Sequence, residues 1–309
     1  MKTKRAILLG VGLIVPVAVL CAGEKGNKGD ACFSLSAPAG AAAASVAGSA
    51  LSPASAQASA MVAMVGSVES GIGERLKAAR TLGAHLGGGE IAALYSFLSA
   101  PPTEQNLPGL HALKNEVLNG LRTQAKAPAG LTGLLIRIYR DGAQDEVTRD
   151  YAIQHLISWC EQGAGDAADA KERIRAVLEQ AAQEKGSIAG TALLGMHRLS
   201  QAGSAFNESD IKSMALKMAM DVETKAAARL SAMQVCAERG WKEALPAMES
   251  AARERGEIPL RLSAIAALGR LGGREQAALL ERVDAGGNEV LRAAVRAALG
   301  RLQEKEKLF

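Results

Sequence analysis

Aromatic residues make up only 3% of this 309-residue chain, which also holds just four cysteines and four histidines. So few cysteines exclude a disulfide-dense scaffold. Hydrophobic content is nevertheless 48%, so the apolar load falls mainly on Ala and Leu. That mixture favours closely packed helices over strands, which prefer β-branched and aromatic side chains. Charge is scarce as well. The net charge of +4 drops to +1 once Lys2, Lys4 and Arg5 of the basic start are set aside. A body so close to neutral argues against a nucleic-acid binder, which needs many phosphate contacts. The zinc spacing HExxH, the pair CxxC and the phosphate loop are all missing from the sequence. His85, His111, His155 and His197 stand far apart, with no second His or Cys at ligand spacing, and read as helix-surface or groove residues. The expectation is a chain with no cofactor and no metal, and not an enzyme.

The N-terminus is better marked. Met1–Arg5 is basic, residues 6–20 are apolar, and Cys21-Ala22-Gly23 follow. A positive start, a short apolar run and small residues form the pattern of a secretory signal, which places the signal at 1–23. The run is short for a membrane span, which needs about 20 residues. Two alternatives stay open: an uncleaved anchor through residues 6–20, and a lipid on Cys21. Leu20 departs from the small residue that lipidation would put before the cysteine. The expected location is the periplasm or cell envelope. Residues 24–68 then read as a low-complexity spacer, because Ala37 to Ala60 carries no charge and is dominated by Ala, Ser and Gly.

From residue 69 to 309 the texture is helical. Pro259–Leu271 (PLRLSAIAALGRL) overlays Val290–Leu302 (VLRAAVRAALGRL) at an offset of 31, with eight of 13 positions identical. The shared core is Arg-x-x-Ala/Val-x-x-x-Leu-Gly. Tracing it backward gives paired anchors: Ala78 with Leu82, Val117 with Leu121, Ala152 with Leu156 and Ala192 with Met196. Ala232 with Cys236, Ala264 with Leu268 and Val295 with Leu299 complete the series. Unequal periods of 30–40 residues suit helix pairs joined by variable loops. Between the anchors lie further amphipathic stripes, such as Leu131, Leu134, Leu135 and Ile138, read as the second helix of each pair. Asp145, Asp221 and Asn288 are plausible N-caps, and Pro259 fits a first helical turn. One pair cannot bury enough to offset its backbone entropy, so pairs must stack. The fold class is therefore all-α: an α-α superhelix of about six to seven helix pairs.

The core resembles the bacterial HEAT repeat, particularly the subtype first noticed in phycobilisome lyases, over Glu69 to Leu302. The resemblance implies antiparallel helix pairs in a right-handed superhelix whose inner face binds other proteins. It is nearly silent on function, because the family hosts scaffolds, inhibitors and a few lyase subunits. It also implies that second helices line the concave side. Opposite their apolar stripes stand Arg137, Arg140, Arg173, Arg175, Lys212 and Lys217, a candidate basic track for an acidic peptide. Tyr139 is the candidate anchor of such an interface, since Tyr and Arg dominate hot spots. Ser209 and Lys212 match a Ser-x-x-Lys catalytic pair, but the companion elements of that chemistry are missing. Residues 163–168 satisfy a loose dinucleotide motif, yet they link two helices. The reading is an exported scaffold that binds a protein or peptide. The alternatives are an enzyme or enzyme subunit related to bilin-lyase-type repeats, or a purely structural envelope component.

Overall fold

The computed structural model describes residues 53–102, 107–163, 168–203 and 206–307. They belong to one compact unit, Ala50–Phe309. The proposed signal and most of the spacer lie outside the described residues. Every regular element among the described residues is helical. In chain order these are α1 (Pro53–Gly66), α2 (Ile72–Arg80), α3 (Gly88–Ser99), α4 (Leu107–Arg122) and α5 (Leu131–Arg140). Then come α6 (Glu146–Glu161), α7 (Ala168–Ala181), α8 (Ser187–Gln201), α9 (Glu208–Met220) and α10 (Ala226–Arg239). A short 3₁₀ turn leads to α11 (Leu245–Arg253), α12 (Ile258–Leu271), α13 (Arg274–Leu280) and α14 (Glu289–Glu306).

The end of the expected spacer is helix. Val62 and Val65 of α1 are buried, and α1 packs on α2 and α3. Low complexity hid a usable apolar pair at i, i+3.

All the anchor residues except Leu82, which follows the end of α2, lie on the even-numbered helices α2 to α14. Ala78, Val117, Leu121, Ala152, Leu156, Ala192, Met196, Ala232, Cys236, Ala264 and Leu268 are buried. Leu82, Val295 and Leu299 are only partly covered. Val295 and Leu299 belong to α14, which among the described residues has an inner-layer neighbour on one side alone. Arg296 there is exposed at the register of buried Ile265.

The pairing differs from the expected one. Each even helix packs more extensively against the helix before it than against the helix after it, so the hairpins are α1–α2, α3–α4 and onward to α13–α14. The repeated arginine explains why. Arg75 Nε donates to Val65 O at 3.0 Å, Arg149 Nε to Tyr139 O at 2.7 Å, Arg229 Nε to Ala219 O at 3.4 Å and Arg261 Nε to Ala252 O at 3.3 Å. Each guanidinium thus caps the last turn of the preceding helix, where carbonyls lack partners and the helix dipole favours a cation. In α4 the shorter match, Lys114, does the same work, with Nζ donating to Ala100 O and Gln144 Oε1 at 2.9 Å each. Asp145 and Asn288 cap α6 and α14 as expected. Asp221 does not cap α10. It ends α9, and its carboxylate folds the next turn by accepting from Glu223 N and Thr224 Oγ1.

The even helices also pack closely on one another, whereas the odd helices from α3 onward barely touch their counterparts. A stack with one dense and one splayed layer curves toward the dense one. The arginine-bearing layer is therefore the inner one. Small residues allow its density: a Cβ on Gly269 would lie 2.8 Å from Ala298 Cα, and one on Gly190 2.9 Å from Ala228 Cα. Across three hairpins the inner layer is stapled by Glu146. Its carboxylate accepts from Lys225 Nζ (2.8 Å) and Ser187 Oγ (2.6 Å), which holds it near a pKa of about 2.

Candidate functional site on the inner layer

The expected basic track lies on the outer, splayed layer, and its cations are mostly matched there. Arg140 donates to Gln180 Oε1 at 2.9 Å, and Arg173 stands 3.9 Å from Asp169. Arg175 is flanked by Glu179 at 2.9 Å and Glu172 at 3.9 Å, and Lys212 by Glu243 at 2.7 Å. Arg137 and Lys217 are exposed on α5 and α9. The result is a neutralised patchwork rather than a track. Tyr139 cannot anchor a partner, because only 1% of it is exposed. Its hydroxyl donates to Glu184 Oε1 at 2.5 Å, and the Arg149 guanidinium sits 5.5 Å from its ring. Burial and the Glu184 hydrogen bond both raise its pKa. Tyr139 therefore ties α5 to the α7–α8 turn.

The inner layer holds the unusual chemistry, at the seam between α4 and α6. His111, Asn115, Asn119 and Arg122 run along α4 at spacings of four, four and three, one face of a helix. From α6, buried His155 donates from Nε2 to Asn115 Oδ1 at 2.9 Å, leaving Nδ1 as a bare acceptor with no protein partner. Arg122 donates from Nη2 to Asn119 Oδ1 at 3.1 Å, while its Nε–H has no protein partner. Burial, followed by the nearby Arg122 charge, lowers the His155 pKa to about 3. His111 Nε2 lies 2.9 Å from Asp145 Oδ1. On the far side of α6, burial raises the Asp150 carboxyl pKa against hydrogen bonds from Thr191 and Gln154. This seam presents one unused donor and one unused acceptor, the pair that an amide satisfies. His155 is a poor general base, because that role needs a pKa near the working pH.

The register explains why this seam is polar. In α6–α8 the equivalent positions are Ile157 against Gly195, and in α12–α14 they are Gly269 against Ala298. In α4–α6 they are Arg122 and His155. A second histidine, His197, is locked rather than open. Its Nε2 donates to Glu238 Oε2 at 2.9 Å, and its Nδ1 accepts from Arg239 Nε at 3.0 Å. Two of the four histidines expected on a surface or groove are therefore buried between helices.

Among the described residues, no group of three or more His, Cys, Asp or Glu is placed to hold a metal ion. Cys160 is half-buried and Cys236 buried, and neither is in a disulfide. Burial pushes the Cys236 thiol up to about 12. No helix among the described residues is long and apolar enough to cross a membrane. A cavity of about 590 Å³ opens between α1 and α3, lined by Ser59, Val62, Glu90, Leu94 and Phe97, with Ser59 Oγ donating to Glu90 at 2.7 Å.

No protein-family model matches the chain, and no curated protein does either. Among solved structures it is similar to human deoxyhypusine hydroxylase in complex with glycerol, with a TM-score of 0.35 and 17% sequence identity. The match covers 81% of this chain and 97% of that one. That protein is an enzyme, so the expectation that this chain is not one is withdrawn. At this level of likeness no residue role passes from one chain to the other.

Proposed function

We propose that this helical-repeat chain is an exported scaffold whose inner layer receives an extended segment of another protein. One observation carries the reading. Arg80, Asn119, Gln154, Leu194 and Gln234 occupy one register on consecutive inner helices, on the side turned away from the outer layer. Helices of a packed layer stand about 8–10 Å apart, close to three residues of extended chain at about 3.3 Å each. The amides of Asn119 and Gln154 on adjacent helices, and of Gln234 beyond Leu194, can thus meet backbone groups of a peptide, each giving and taking a hydrogen bond. The partly unsatisfied His155–Arg122 seam lies under the middle of that row. The test is selection of binders from a random peptide library with the full chain. Asn119→Ala, Gln154→Ala and Gln234→Ala together should abolish binding, whereas Arg137→Ala with Arg140→Ala should leave it intact. The opposite pattern overturns the reading.

Export is supported by the basic start, residues 6–20 and the small residues after them. The mass of the native N-terminus checks it: cleavage after residue 22 or 23, a lipid on Cys21, or an intact Met1 each gives a distinct value. A second reading, an enzyme or enzyme subunit, is favoured by the same polar seam, which holds an unpartnered imidazole nitrogen and an unpartnered guanidinium N–H. Its test is substrate turnover by the wild-type chain against His155→Gln and Arg122→Met.

A further inference from the structure

The hairpin turns carry a feature that neither the repeat core nor the inner face uses. In this stacking the described turns within hairpins fall along one edge, and hydrogen bonds confirm the alignment. Lys225 N donates to Lys185 O at 2.8 Å, Lys185 Nζ reaches Asp221 at 3.1 Å, and Arg255 reaches Asp284 at 3.3 Å. Every large hydrophobic side chain standing well exposed among the described residues lies on or beside this edge. Val68 is 76% exposed, Val222 68%, Val290 60% and Met220 50%, with Met64, Leu107, Val147 and Ile258 at 36–43%. Five of the turns carry an aliphatic next to an acid: Val68-Glu69, Glu146-Val147, Val222-Glu223, Glu257-Ile258 and Glu289-Val290. Single exposed aliphatics need no explanation, but a row of them along one edge does.

Charge says what the row fits. Turn residues 67–71, 141–146, 182–187, 221–226, 254–258 and 281–290 hold twelve carboxylates and four cations, although the whole chain is net positive at +4. Several of the acids are engaged in caps or ion pairs. The side chains of exposed Glu69, Glu223 and Glu257 make neither kind of contact, and so remain available. An anionic bilayer or a nucleic acid would be repelled by such an edge, and an acidic peptide equally. A cationic partner would gain both steering and apolar burial.

We propose that this edge docks a cationic amphipathic helix of a partner protein on the last three turns. Its aliphatic stripe would lie on Val222, Ile258 and Val290, and its Lys or Arg side chains would face Glu223 and Glu257. Adjacent turns are about 8–10 Å apart, and residues i and i+7 of a helix rise about 10.5 Å, so one apolar residue per two turns meets each step. This surface is separate from the inner-layer row.

The test is fluorescence anisotropy of the full chain with a labelled Leu/Lys peptide built as an amphipathic helix. Two control peptides accompany it: a scramble of equal composition and a version with Glu in place of Lys. The wild-type chain should bind the amphipathic cationic peptide saturably, more weakly as salt rises, and ignore both controls. Glu223→Lys with Glu257→Lys should weaken binding at least tenfold and admit the Glu peptide. Val222→Ser with Ile258→Ser should weaken it several-fold while keeping the salt dependence. All four positions are exposed, so far-UV circular dichroism and melting should stay as in the wild type. The inner-layer triple variant should bind normally. Absence of saturable binding, equal binding of the scramble, or wild-type affinity in the edge variants overturns the proposal. So does wild-type binding to phosphatidylserine vesicles that the edge variants lose.

Discussion

Lowering the pH should loosen the array at one nitrogen atom. His155 is 4% exposed, and its Nε2–H is committed to Asn115 Oδ1. A second proton would have to go on Nδ1, which is buried, has no acceptor and is near the Arg122 charge. The folded ring therefore stays neutral to about 3, while in the unfolded chain it protonates near its ordinary 6.5. Below that value the unfolded state binds more protons, so stability is full above pH 6.5 and falls as the pH drops toward 3. Linkage removes about 2 kcal/mol between pH 7.5 and pH 5, and about 3 kcal/mol by pH 4. Urea unfolding followed by circular dichroism at pH 7.5 and pH 5 measures this, with His155→Gln as comparison. A Gln amide can still donate to Asn115 but does not titrate. The wild type should lose about 2 kcal/mol more than the variant over that interval. His197, whose pKa burial also lowers, is present in both proteins and cancels. Equal losses in the two would refute the reasoning.

Further outcomes follow from the packing. Arg149→Met removes the donor to Tyr139 O and the cation beside Glu184, and should cost about 2–3 kcal/mol by urea titration. The same change at exposed Arg292, which turns to Gly287 O and Glu289 instead, should fall within about 0.5 kcal/mol of the wild type. Gly269→Ala should cost about 1–3 kcal/mol by overpacking against Ala298. Gly300→Ala, at the same register with nothing within 4 Å, should be neutral or raise the melting temperature. Cys236 should resist thiol reagents in the native protein. Titration with a chromogenic disulfide should count the same number of native thiols in wild type and Cys236→Ala, and one fewer in the variant only in denaturant.

The repeat was legible because its period and its small-then-large anchors are written in side-chain type: Ala264 and Leu268, or Ala152 and Leu156, can only be core. Which helix each one pairs with was harder, since periodicity marks a buried face but not the neighbour that covers it. Loop length held only part of the missing clue. In the middle of the chain, 141–145 and 221–225 are shorter than 81–87 and 123–130, as tight antiparallel neighbours require, but the rule fails at the C-terminal end, where two residues part α12 from α13 and eight join α13 to α14. Misplacing the hairpin boundary put Arg137, Arg140 and Arg173 on the inner face when they stand on the outer one. Tyr139 misled for another reason. Its residue type suits an interface, but Arg149 and Glu184, ten and 45 residues away, close over it, and one helix cannot show that. The Arg122 charge likewise acts on His155 across 33 residues of sequence, visible only once the repeats are laid in register.

That register also says where the array should open first. Inner-layer cohesion comes from small residues that let helices approach, and α8–α10 and α12–α14 have them in Gly190 and Gly269. The α4–α6 seam has Arg122 and His155 where α12–α14 has Gly269 and Ala298, and it packs least extensively of all the inner-layer neighbours. Its polar atoms are only partly paired, which costs stability that an apolar seam would not lose. In a linear array each hairpin leans on its neighbours alone, so the weakest seam sets the boundary between cooperative units. Amide hydrogen exchange should therefore show two protection levels at neutral pH, with α6–α12 slow and α1–α4 faster. The gap should widen at pH 5, where His155 starts to favour the open form. Uniform protection across α4 and α6 at both pH values would mean that the polar seam transmits cohesion as well as the glycine seams do. The account of inner-layer density would then be wrong.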